Sequence, residues 1–137
     1  MDSNFTEQLD CECQEVLPPL GVEAVALFNT GEYHAQHDLF EELWRQTPSR
    51  VRDLYQGTLQ VGIAYYQITR GNHRGALKML RRSARWLASL PDVCQGIDVK
   101  QLREDSFRVR AELEKMQPED IANFDRSLLK PVKMVER

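Results

Sequence analysis

The chain has no apolar run approaching the ~18 residues of a membrane span, so nothing in its 137 residues calls for a membrane partner. Its opening stretch, MDSNFTEQLDCECQEV, lacks both a basic segment and an apolar core, and it does not read as a signal peptide. Cysteine is scarce and odd in number: Cys11, Cys13 and Cys94. An odd count disfavours a closed disulfide framework, and Cys11 and Cys13 read as two reduced thiols on a leader. No further ligands stand near them to make a metal or redox site. These absences place the protein in a reducing cytoplasm and call for no metal and no cofactor. Repeats and low-complexity tracts are missing as well, and no stretch reads as a strand.

What is present is an ordinary globular mix, with 42% hydrophobic and 28% charged residues, enough for one domain with one core. The net charge of -3 hides a division. Residues 1–48 carry ten acids and one base, residues 49–91 eight bases and one acid, and residues 92–137 ten acids and nine bases. Either the acidic and basic parts neutralise each other within the molecule, or the basic part faces an acidic partner.

Residues 1–17 show little apolar periodicity and read as a loose acidic leader. Pro18 and Pro19 open the domain, which runs over 18–137. Residues 22–30 form a short helix that Gly31 can end in a left-handed cap. A second helix over 33–46 gathers Tyr33, Phe40, Leu43 and Trp44 on one side, with His37 and Glu41 at the edge of that arc and His34 beyond. Ser49 suits the N-cap of the next helix.

That third helix, 51–70, is apolar all round, which marks a buried central element. Gly57 and Gly62 cost it about 1 kcal/mol each relative to alanine, a cost that close approach by neighbouring helices would offset. Gln56, Gln60 and Gln67 line up on one narrow stripe of it. Gly71 and Asn72 make a tight hairpin into a fourth helix over 73–89. Its seam is Leu77, Leu80, Ala84 and Leu87, and Arg74, Lys78, Arg81, Arg82 and Arg85 share another face. Asp98 with Gln101 resembles a capping box ahead of a fifth helix, which Pro118 ends. A last turn reaches Phe124, and Leu128, Leu129 and Pro131 strap the tail to the bundle. The expected fold is therefore all-α: a compact bundle of about five helices around a buried third.

Three segments in order, FNTGEYHAQHDLFEELW, YQGTLQVGIAYY and RGNHRGALKMLRRSARWL, resemble the all-helical domain-of-unknown-function family 309 over about residues 25–90. The residues that carry the resemblance are Gly31, Tyr33, His37, Glu41, Trp44, Gly57, Gln60, Gly71, Asn72, Gly75 and Ala76. Asp38 stands where that family often has glutamate, and Tyr65-Tyr66-Gln67 where it often has histidine. The resemblance implies a compact helical bundle and no particular reaction. It also implies that Gln60 lies beside the histidine-bearing helix.

His37 and Glu41, four apart, can meet on one helix face, and the carboxylate can orient the imidazole. His34, one turn earlier, can add a donor. The leading expectation is a non-catalytic binding or interaction module whose polar pocket draws on His37, Glu41 and Gln60, with Tyr33, His34 and Trp44 nearby. The alternative is a small metal-assisted or general-base hydrolase using His37 as base and Glu41 as its orienting carboxylate. A further alternative is binding of nucleic acid or an acidic protein through the basic face of the fourth helix. Nucleic acid is disfavoured because Trp86 is the one aromatic beside that face. A protein partner or a homodimer remains in view.

Overall fold

The 51–70 stretch becomes the axis of the molecule. The computed structural model describes residues 2–136, with side chains from residue 7 onward. Among these, six α-helices run in order: α1 (Asp2–Cys13), α2 (Pro19–Asn29), α3 (Tyr33–Gln46), α4 (Arg52–Thr69), α5 (His73–Leu87) and α6 (Val99–Lys115). A two-residue antiparallel pair, β1 (Val93–Cys94) and β2 (Ile97–Asp98), joins α5 to α6, and two 3-10 turns, Pro118–Asn123 and Arg126–Leu128, carry the tail. The protein is all-α apart from this small hairpin, which was expected to be loop. No helix is long and apolar enough to cross a membrane among the described residues.

α4 packs against α5 on one side and α3 on the other. Its glycines make both approaches close. A Cβ on Gly57 would lie 2.5 Å from Leu87 Cδ2 of α5, and one on Gly62 would lie 2.3 Å from Gln36 Nε2 of α3. The local signals act where they were read. Gly71 takes φ +77, and the Asn72 side chain accepts from the Gly75 N–H at 2.9 Å to start α5. Asp98 accepts from the Gln101 N–H at 2.9 Å to start α6. The tail is strapped by Asn29, which exchanges two hydrogen bonds with the Val132 backbone at 3.0 and 2.7 Å, and by buried Phe124 and Val132.

Four expectations are corrected. Residues 2–13 are helical rather than loose, and Leu9, Cys13 and Leu17 are buried in the common core. Cys13 is not a reduced thiol but is joined to Cys94 by a disulfide, which leaves Cys11 as the exposed free cysteine. Ser49 does not cap α4. Its hydroxyl donates to the Glu12 carboxylate, so a tertiary partner has replaced the local one. In the seam of α5, Ala84 is exposed and Leu77 half-buried, while Ala76, Leu80, Ser83 and Leu87 face inward. The helix is rotated from the expected phase, and Leu87 and Trp86 are the α5 residues that close on Gly57 of α4.

Two tyrosines on α4 make the fold sensitive to alkali. Tyr55 is 1% exposed and donates to Gln95 Oε1 at 2.6 Å. Burial pushes its hydroxyl up to about 12, and burial pushes Tyr65 up as well. A folded pKa above the unfolded one stabilises the fold below the unfolded value, near 10, and that contribution is lost as pH rises through the folded value. Stability should therefore fall between about pH 10 and 12, by about 3 kcal/mol for Tyr55. Urea melts across that range should show it, with a shallower fall in Tyr55→Phe. A fall that is the same in the variant would sink this assignment.

Candidate functional site

Helix α3 lies across α4 so that its polar edge, His34 and His37, overhangs the glutamine stripe. α5 closes the far side with Met79 and Arg82. The result is a water-open cleft of about 450 Å³. Gln56, Gln60 and Gln67 line it from α4 together with Tyr66. The stripe thus forms the floor of the cleft, and Gln67 Oε1 accepts from Asn72 Nδ2, the N-cap of α5, at 3.1 Å.

His37 sits at the lip, its side chain 32% exposed. Its Nε2 is 3.5 Å from Glu41 Oε2 and its Nδ1 3.4 Å from Asp38 Oδ1. Glu41 also accepts from Arg45 Nη2 at 3.1 Å. His37, Asp38 and Glu41 offer ligand atoms that all lie within 4.8 Å of one another, a spacing that fits a divalent cation. Gln60 is 6% exposed, and its Oε1 is buried without a hydrogen-bond partner. An unmade bond of this kind costs roughly 1–3 kcal/mol.

His34, His37 and Gln60 therefore share one cleft, and Glu41 reaches it through His37. Among the described residues, no hydrogen bond joins Gln60 to His37 or Glu41, so the two sides meet across the cleft rather than bridge it. Tyr33 packs elsewhere, in an edge-to-face cluster with Phe28 and Tyr65 at 5.5 and 5.7 Å, where burial raises its hydroxyl pKa. Trp44 lies under the Arg52 guanidinium, 4.2 Å from ring to cation. Tyr66 also lines the cleft, 5.2 Å from the His34 ring.

Gln36 is the residue that sequence reasoning missed. It is fully buried, and its Nε2 donates to the backbone carbonyls of Tyr33 and Leu59 at 2.9 and 3.1 Å, tying α3 to α4. Its signal was Gly62, whose missing Cβ leaves the space that the Gln36 amide fills.

On α5, Arg74, Lys78, Arg81, Arg82 and Arg85 are all exposed. Arg81 pairs with Glu114 of α6 at 3.4 Å. The other four form no ion pair among the described residues. On α3, Asp38, Glu41 and Glu42 pair with His37 and Arg45 of the same helix.

These features define an all-helical bundle with a polar cleft over its central hairpin. Residues 22–79, which hold most of α2, all of α3 and α4 and the start of α5, match the family model described as Domain of unknown function (DUF309). The chain is also similar to a protein of Aquifex aeolicus (strain VF5) described as "Uncharacterized protein", at 26% identity over 82 residues, or 59% of this chain. The match spans 25% of that relative's length. The cleft's α3 and α4 walls fall inside the matched stretch.

Proposed function

We propose that the protein is a non-catalytic binding module whose cleft between α3, α4 and α5 holds a polar ligand against His34, His37 and Gln60. One observation carries this reading: the imidazole edge is open to water and faces a floor of amides, a concave surface with a few convergent polar groups. The unpartnered Gln60 amide supports it, because a bound donor could satisfy that oxygen after a small side-chain turn. The test is a thermal-shift panel of nucleotides, sugar phosphates, dicarboxylates and divalent cations, run on the parent and on Gln60→Leu. A ligand that raises the melting temperature of the parent alone supports the module. A more stable Gln60→Leu protein, with no ligand response in either, would overturn it.

The clustering of His37, Asp38 and Glu41 favours a second reading, a metal-assisted or general-base hydrolase with His37 as base and Glu41 orienting it. In that case His37→Ala abolishes turnover at an unchanged melting temperature. A homodimer draws support from Val16 and Val22, exposed side by side on a shallow apolar face near the start of α2. The cytoplasmic placement is a separate proposal. The Cys13–Cys94 disulfide weighs against it, since such bonds persist mainly in oxidising compartments.

A further inference from the structure

The cleft does not end at Gln60. A second groove, of about 620 Å³, runs on between α4 and α5, and Gln60 and Arg82 line both. Its walls add Arg50, Arg85 and Trp86. The two make one trough along the central hairpin, and three kinds of group line it.

The first kind is cationic. Arg82 and Arg85 have no ion-pair partner among the described residues, and Arg50 donates to Ser89 Oγ at 3.2 Å while remaining exposed. The second is aromatic. Trp86 is half-buried and makes no ring or cation contact among the described residues, and the His34–Tyr66 pair stands at the other end. The third is amide: Gln56, Gln60 and Gln67 lie along the lining, where the Gln67 oxygen already accepts from Asn72 at 3.1 Å and the Gln60 oxygen is buried without a partner. Asp53 is the one carboxylate on the lining, an acceptor of the kind that takes an exocyclic amine.

We infer that this trough binds a single-stranded nucleic acid, with phosphates on Arg50, Arg82 and Arg85, bases stacked on Trp86 and the His34–Tyr66 wall, and base edges on the glutamines. This rests on the binding-module reading of the same cleft. Basic grooves with interleaved aromatics are how single strands are held without strict sequence preference. Splayed bases are read by side chains able to donate and accept together. An acidic peptide would use the arginines and leave the rings and amides idle. On sequence alone Trp86 seemed isolated on the basic face, whereas the fold sets it in one trough with Tyr66 and His34.

Fluorescence anisotropy of the full chain with a labelled oligonucleotide of about ten residues, in DNA and RNA arms, tests this across a salt series. Binding should weaken with salt at a log–log slope of about -2, as expected for three phosphates on a single strand. Arg82→Gln combined with Arg85→Gln should flatten that slope by about 1.4. Trp86→Ala keeps the Cβ that lies against Gly57 and should weaken binding by roughly 5- to 150-fold. Arg74→Gln, on the same helix but off the trough, should change affinity by less than about twofold. Tighter binding in the RNA arm would assign a role to the 2′-hydroxyl. No binding of either oligonucleotide at low salt overturns the inference, and so does binding that polyglutamate displaces equally well or that survives both sets of substitutions. If the thermal-shift panel still yields a ligand that depends on Gln60, the module stands and only the nucleic acid falls. If both fail, the cleft reading itself is wrong.

Discussion

Reducing the Cys13–Cys94 bond, or replacing both residues by alanine, should lower unfolding stability by about 4 kcal/mol and the melting temperature by roughly 10–20 °C. The bond closes a sequence separation of 81 residues, which sets a large loop-closure entropy for the unfolded chain. It is also the covalent part of a larger attachment. The Gln95 N–H donates to the Cys13 carbonyl at 2.6 Å, the Gln95 side chain donates to the Glu12 carbonyl at 3.2 Å, and Ser49 donates to the Glu12 carboxylate. These contacts and the burial of Leu9 and Leu17 should keep α1 docked at ambient temperature after reduction. α1 should then be the first element to exchange its amide protons. Parent protein in reductant and the double alanine variant should melt together, and Cys11→Ser should melt with the oxidised parent, because Cys11 is exposed and free. Parent protein that melts identically with and without reductant would mean that the bond is not formed.

That bond was illegible in the sequence for a physical reason. Nothing local ties residue 13 to residue 94, and a count of three leaves the choice of partner open. The apolar spacing of Leu9, Cys13 and Leu17, four apart, was the available sign that the leader packs against something. Features governed by a few neighbouring residues were legible. Gly31 and Gly71 in left-handed caps, Asn72 and Asp98 as N-caps and the breaks at proline follow from backbone sterics and short hydrogen bonds, and the fold preserves them. Ser49 followed the same logic and was misread because Glu12, 37 residues away, competes for its hydroxyl. The candidate site was half legible for the same reason. His37 and Glu41 lie on one helix and their pairing is a matter of helical geometry. The second groove depends on how α5 lies over α4, which a single helix's periodicity does not contain.

Gly62→Ala should cost about 2–4 kcal/mol, although alanine is the better helix former by about 1 kcal/mol. The added methyl would sit 2.3 Å from Gln36 Nε2 and 2.7 Å from its Cδ, with Phe28 Cδ2 at 3.2 Å behind. Gln36 is fully enclosed, so the amide cannot swing into solvent. It must give up its hydrogen bonds to Tyr33 and Leu59, leaving polar atoms buried without partners. Gln36→Ala alone should also destabilise, by losing the same bonds and opening a cavity. The double variant should be more stable than the two losses would give if added, by about 1–3 kcal/mol, since the second change removes the clash that the first creates. Strictly additive losses in chemical denaturation would sink the contact. The cleft should feel the change as well. Gln36 lies between His34 and His37 in sequence, and it is the hydrogen-bonded tie that sets α3 against α4. Displacing it shifts both imidazoles relative to the glutamine floor. Gly62→Ala should therefore weaken whatever the cleft binds, and the Gln36→Ala, Gly62→Ala pair should recover stability without recovering that affinity. Packing alone sets the first outcome, and the position of α3 over α4 sets the second.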